Sequence, residues 1–411
     1  MEQWNIIKAY DYCYNVTDGT HDSPKQTEFG KYLITSKHIK DNRIDFESAY
    51  KISEDDYNKI ITRSKVDQWD IIISMIGAYC GFCCIESSKQ TDYAIKNVGL
   101  LKVGNELKCK WLYYYLTSPH GKQQLSKLRS GSSQPYISLG ALRNLDIPVP
   151  NENTMSDIVS VLSSLDSKIE LNRRINDNLE QQAQALFKSW FVDFEPFKDG
   201  KFVESELGMI PEGCRVGKAE DFYNINIGKT PPRKEQIWFS SNSSDYTWVS
   251  ISDLGSCGRF VFTSSEFLTH EAIKRHNIIL VPKDTILLSF KLTIGRVGIA
   301  GTELTTNEAI ARFITSDENR EYTYFLLKGY NYEKLGSTSS IATAVNSKII
   351  KAMVVLMPDK EILKAFSSLT KPYFDQILRN EQESIRLTIL RDTLLPKLMS
   401  GELKINATEV L

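Results

Sequence analysis

The sequence is poor in the residues that most catalytic chemistry requires. Its five histidines, His21, His38, His120, His270 and His276, form neither an H-x-x-x-H nor an H-E-x-x-H pair. That removes the helical metal sites built on such spacings. Gly228-Lys229-Thr230 resembles the end of a phosphate-binding loop, but the motif needs a glycine at position 223, which is Tyr223. No G-x-G-x-x-G follows a strand pattern, and no Asn-Pro-Pro-Tyr occurs. Pro358-Asp359 with Glu361 and Lys364 has the wrong spacing for a nuclease site and opens a helical run. No enzymatic activity is expected of this chain.

Long apolar runs are also lacking. Ile71–Ile85 is the longest without a charge, short of the roughly 20 residues that span a bilayer. Ser74, Gly77 and Gly81 interrupt it, so it reads as two buried strands around a turn. Met1–Tyr10 is polar, so no signal peptide is predicted, and a cytoplasmic location is expected. The seven cysteines, Cys13, Cys80, Cys83, Cys84, Cys109, Cys214 and Cys257, follow no disulfide pattern. Cys80-x-x-Cys83 is half a zinc site without its other half, in apolar surroundings, and reads as core. Excess positive charge is missing too. The formal net charge is -1, whereas a protein gripping nucleic acid by itself is usually basic.

What is present is a repeat. Asp70-IIISMIGAYCGFCCI matches Asp284-TILLSFKLTIGRVGIA, and Tyr32-LITSKHI matches Tyr246-TWVSISDL. Leu128-RSGSSQPYISLGALRNLDIPVP matches Leu335-GSTSSIATAVNSKIIKAMVVLMP, and both runs lead into long helical patterns sharing Leu162-SSL and Phe366-SSL. The copies lie roughly 204 to 215 residues apart, far too long a period for a solenoid. The predicted fold is α+β: two similar mixed α/β domains and two long antiparallel helices, with approximate internal two-fold symmetry. The expected boundaries are residues 1–150, 151–197, 198–358 and 359–411.

The first helix is predicted from about Thr154 to Phe191, capped by Thr154 or Ser156. Its seam holds Ile158, Leu162, Leu165, Ile169, Ile175, Leu179 and Leu186, and its polar face Lys168, Glu170, Arg173, Arg174, Asp177 and Glu180. The second is predicted from about Asp359 to Met399, with Leu363, Phe366, Leu369, Phe374, Ile377, Leu387, Leu394 and Leu398 inside. Pro372 should kink or interrupt it near Lys371, and Gly401 should stop it. Seams this narrow need a partner, and the other long helix is the nearest. Phe187, Trp190, Phe191 and Phe194 form an aromatic cluster, for a partner protein or for internal packing.

Ala185-LFKSWFVDFEPF followed by Ser205-ELGMIPEG closely resembles the central segment of type I restriction–modification specificity subunits. Ile169-ELNRRINDNLE fits the same segment, and Thr393-LLPKLMSGELKI resembles the family's C-terminal segment. Asp18-GTHDSP and Gly228-KTPPR resemble the openings of its two recognition domains. One departure is Cys214, where the family usually has Trp after Pro-Glu-Gly, which removes a local aromatic contact. The resemblance covers essentially the whole chain.

It implies a non-catalytic reader of a bipartite, asymmetric double-stranded DNA target. Its implied partners are two modification subunits, which bind S-adenosylmethionine and methylate adenine, and motor-nuclease subunits for cleavage. No cofactor is expected in this chain. Partners that share the phosphate clamp would account for the near-neutral charge. Rigid helices of about 55 Å would fix the gap between half-sites, so changing their length should change the gap and not the bases read.

Base readout calls for Arg or Lys against guanine and Asn or Gln against adenine. The first domain offers His21, Lys25, Lys37, Arg129, Ser132 and Gln134, and the second Lys229, Arg233, Lys234, Lys291, Ser337 and Ser339. The glycines at 131 and 336 allow close approach of their loops to a DNA backbone. Three other readings remain at this point: a specificity subunit serving only a methyltransferase, a coiled-coil scaffold with two protein-binding domains, and a repressor, for which no helix-turn-helix is visible.

Overall fold

The computed structural model describes residues 4–40, 42–131, 134–335 and 345–404. The chain divides into two compact units. The first comprises Met1–Ile169 with Arg386–Leu411, the second Glu170–Ile385.

The first unit is built on a four-stranded antiparallel sheet ordered Asn15–Asp18, Val98–Lys102, Asp70–Ser74, Cys83–Ile85. Asp70–Ser74 is buried along its whole length, which is why its sequence is a continuous aliphatic run without alternation. A smaller sheet joins Lys51–Ile52, Lys31–Ile34 and Tyr93–Ile95, the last pair parallel. Asn5–Lys8 pairs with Asp146–Val149.

The second unit repeats this plan. Its main sheet runs Asn224–Ile227, Ile310–Ile314, Ile286–Ser289, Val297–Ala300, with Phe260–Val261 added at the edge. Tyr246–Val249 pairs in parallel with Thr305–Thr306, and Cys214–Lys218 pairs with Val354–Pro358.

The structural register of the repeat differs by one residue from the sequence alignment on aspartate. Trp69 N–H donates to Glu86 O at 2.7 Å, and Asp284 N–H donates to Ala300 O at 2.8 Å. Trp69 and Asp284 both have positive φ, 65° and 68°. Further along, Gly81 bonds back to Ser74 as Gly295 does to Ser289. Asp284 therefore corresponds to Trp69, and Asp70 to Thr285. The two aspartates also have separate roles. Asp70 is buried against Lys102 Nζ at 2.8 Å, and Asp284 receives Arg320 Nη1 at 2.6 Å.

Two helices of 40 residues complete the fold, Glu152–Phe191 and Lys360–Met399. Asn151 caps the first: its Oδ1 accepts from Thr154 N–H at 2.9 Å. The cap thus lies upstream of Thr154 and Ser156, since the helix begins at Glu152. Asp359 caps the second through Ile362 N–H at 3.0 Å. The second helix runs through Pro372 without interruption. The fully buried Phe366, Phe374 and Ile377 on either side hold the flanking turns against the roughly 3 kcal/mol that an interior proline costs. It stops at Met399, with Gly401 at φ 68°.

Within each unit the two helices run antiparallel and also close the unit's core. In the first, Asp166 accepts from Arg391 Nη1 at 2.7 Å, and Leu395, Leu398 and Met399 pack with Met155, Ile158 and Leu162 around Trp111. In the second, Phe187 and Phe191 pack on Phe366, Tyr322 and Phe325. The aromatic cluster at the end of the first helix is therefore internal packing, with Phe194 against Phe202.

Midway, the pattern turns inside out. Ile175 and Leu369, expected in the seam, are exposed, whereas Asn172, Asn176 and Asn380 are buried. Glu180, expected on the polar face, is buried against Arg259, Tyr324 and Lys328. Asn380 Nδ2 donates to Asn176 Oδ1 at 2.8 Å, and Asn172 Nδ2 donates to Glu383 Oε2 at 2.8 Å. The offset that carries Leu162-SSL onto Phe366-SSL also carries Asn176 onto Asn380. A heptad count registers apolar residues and cannot see that amides have paired across the interface.

We predict that N176L or N380L alone costs about 1–3 kcal/mol, because each strands a buried amide. The double variant should recover most of that loss. Denaturant unfolding of the four species checks it, and additive losses would refute the pairing.

Candidate nucleic-acid interface

In the first unit the candidate residues gather at one end of the main sheet. Strand Asn15–Asp18 ends at Gly19, where a Cβ would lie 2.3 Å from Ile95 O. Only glycine allows the chain to pass so close. Beyond it, His21 Nδ1 is 3.0 Å from Asn97 Oδ1 and its Nε2 is 3.1 Å from Asp18 Oδ2. Asp18 also accepts from Arg63. Ser36 Oγ reaches Asn97 O at 3.3 Å, so the turn carrying exposed Lys37 meets the same point. Lys25 is exposed on the loop after His21.

Asn97 directly precedes Val98, which pairs with Ser74 at the start of the hairpin turn. That turn meets the loop of Arg129. Arg129 Nη2 donates to Cys80 O at 2.5 Å, and Gly77 N–H donates to Pro135 O at 2.8 Å. Gly131 has φ 85°, and Gln134 is exposed beside Tyr136. Tyr79 and Phe82 stand at the hairpin tip, 5.8 Å apart edge to face and partly exposed. Ser132 lies outside the described residues. The Cys80 thiol donates to Met75 O at 3.5 Å, and burial pushes the Cys83 thiol up to about 12. Both cysteines support the turn from inside.

The second unit repeats the arrangement with other side chains. Gly228 takes the place of Gly19, with a would-be Cβ 1.9 Å from Asn307 O. Lys229 Nζ donates to His276 O at 2.5 Å. Thr230 donates its hydroxyl proton to Glu308, which occupies the same turn as Asn97. Burial opposes ionisation of Glu308, but the Thr230 hydrogen bond and the nearby Lys291 and Arg233 charges hold its carboxyl below the usual range. Lys234 and Lys291 are exposed. Ser337, Ser339 and Gly336 lie outside the described residues.

Arg233 differs from the rest. Its guanidinium makes two bonds to Glu266, at 2.9 and 2.7 Å, and lies 4.3 and 4.6 Å from the Phe239 and Trp248 ring centroids. The guanidinium holds the Glu266 carboxyl below its ordinary range. In this state Arg233 braces the loop, and exposed Lys234 beside it is the freer cation.

Sequence reasoning missed Asn97 and Glu308, because short turn residues carry no periodic signal. It also passed over Tyr79, Phe82, Tyr136 and Leu292, because exposed apolar residues read as core. Among the described residues no group of three or more His, Cys, Asp or Glu could hold a metal ion, and no helix is long and apolar enough to cross a membrane. What each sheet end offers is cations, amides, hydroxyls and apolar tips on loops, a surface suited to recognition.

Two copies of one recognition plan, each closed by long helices, define a duplicated reader. A family model described as the type I restriction modification DNA specificity domain matches residues 2–181 and 211–387. The chain belongs to this family of specificity subunits, which recognise DNA targets. It is 31% identical over 307 residues to the MjaIX specificity subunit of Methanocaldococcus jannaschii, covering 72% of this chain and 69% of that one. With the HindI specificity subunit of Haemophilus influenzae it shares 27% over 343 residues, covering 68% and 74%. Its fold is similar to that of the type I S subunit from M. genitalium, with a TM-score of 0.51, 15% identity and 96% of each chain covered. These likenesses set aside the scaffold reading.

Arg233→Ala should lower the stability of the second unit by about 1 kcal/mol, the scale of an exposed bidentate pair with an aromatic contact. Denaturant unfolding measures it; an unchanged midpoint would mean that Arg233 is not a brace.

Proposed function

We propose that each unit reads one half of a bipartite, asymmetric DNA target, and that the long helices hold the two halves at a fixed gap. The reading rests on one observation: equivalent loops stand at the same end of equivalent sheets in both units, with unlike side chains. In the first unit His21, Lys25, Lys37, Arg129 and Gln134, with Ser132, would face DNA. In the second Lys229, Lys234 and Lys291 would do so, with Ser337 and Ser339, while Arg233 would need to leave Glu266 first. Arg and Lys suit guanine or phosphate, and Gln134 suits adenine.

Catalysis would belong to partners. Two modification subunits would bind S-adenosylmethionine and methylate adenine, and motor-nuclease subunits would cleave. Leu171, Ile175, Leu369 and Ile385 on the helices of the second unit, and Ile389 and Leu390 in the first, are exposed apolar side chains. A partner helix covering those of either unit would gain burial worth roughly 25 cal/mol per Å². Such partners would also supply phosphate contacts that a chain of net charge -1 leaves to others.

Mapping of N6-methyladenine in cells expressing this chain with its methyltransferase should reveal a new two-part motif with a constant gap. Cells lacking the chain should not show it. An assembled, active complex that adds no such motif would refute the reading. Alanine at Lys25 or Lys291 should weaken binding across sequences and reduce the salt slope of log K by about 1 if each neutralises a phosphate. An unchanged slope would remove that residue from the phosphate contacts.

A further inference from the structure

Among the described residues, seven other than glycine have positive φ: Asn42, Trp69, Asn97, Phe194, Asn277, Asp284 and Leu292. Asparagine tolerates this region. Trp69 packs on the first unit's core with Lys110 Nζ 5.8 Å above its ring. Phe194 packs on Phe202, and Asp284 is bound by Arg320. Leu292 has no such reason. Its φ is 60° and its side chain is 99% exposed.

The loop that carries it is firmly built. Buried Ser289 donates its hydroxyl to Thr293 O at 2.6 Å and accepts from Arg296 N–H at 3.0 Å. Gly295 N–H returns to Ser289 O at 3.0 Å. Glycine would sit at position 292 with less strain and lose no packing. The protein thus holds a bulky apolar group on a fixed tip where it does nothing for the folded chain. The corresponding turn of the first unit carries two partly exposed aromatic side chains, Tyr79 and Phe82.

We propose that Leu292 is a specificity determinant that reads a thymine methyl group in the half-site of the second unit. This rests on the reading of the unit as a DNA reader. The major groove admits a two-stranded ribbon, and its one apolar base-edge feature is the thymine C5-methyl. Exposed Lys291, next in the chain, is placed to hold a phosphate beside it.

The test uses the assembled complex and its mapped target, with deoxyuridine replacing each thymine of that half-site in turn. Wild type should lose about fourfold in affinity at one position, the equivalent of one buried methyl group. L292G should bind thymine and uracil there equally, keep its discrimination elsewhere, and melt no lower than wild type. The inference is overturned if no thymine responds, if L292G keeps the methyl preference, or if L292G melts lower, which would reveal a packing role. A wild-type complex without any sequence preference would instead defeat the reader assignment itself.

Discussion

Neither unit has a complete core without both long helices. In the first, Trp111 and Leu112 share one core with Met155, Ile158 and Leu162 from one helix and with Leu395 and Leu398 from the other. In the second, Phe187 and Phe191 from one helix meet Phe366 from the other, and Phe374 joins the same core. Each helix thus serves two cores in succession. Its length is set by that double duty, because an isolated amphipathic helix gains most of its stability from what it packs on.

Where the helices leave these cores, the interface changes character. Asn172, Asn176 and Asn380 are buried, and Asn172 Oδ1 has no hydrogen-bond partner among the described residues. Leucine at these positions would pack more strongly but would accept many neighbours. A paired amide accepts few, which is the attested use of buried asparagine between helices. The second unit is also clamped to both helices by charge. Arg259 reaches Asp177 and Glu180, and Glu381 accepts from the Arg259 and Phe260 amides at 2.8 and 2.9 Å. The first unit uses Arg391, Asp166 and Tyr114. The sheets repeat closely, and their anchors to the helices do not.

The sequence carried the fold well wherever burial was continuous. The aliphatic strands, their duplication and both long helices could be read from it. It failed where one residue decides geometry. Asp70 and Asp284 look alike in a row of letters, yet hydrogen bonding sets them one residue apart. Pro372 looks like a break until the aromatic side chains around it are counted. The recognition surface was legible only as loops. His21, Lys37, Arg129 and Lys291 do stand at the sheet ends, but the pairing of Arg233 with Glu266 and the exposure of Leu292 depend on neighbours distant in sequence.

The make-up of the first unit bears on how the protein is made. Its core is sealed by Leu395, Leu398 and Met399, and the whole second unit is translated before them. At about 5–20 residues per second a ribosome needs tens of seconds to cover that distance. Until they are made Trp111 and its neighbours lack their final cover, whereas the second unit has all of its chain once Ile385 is added. The part translated first is therefore the last to be finished.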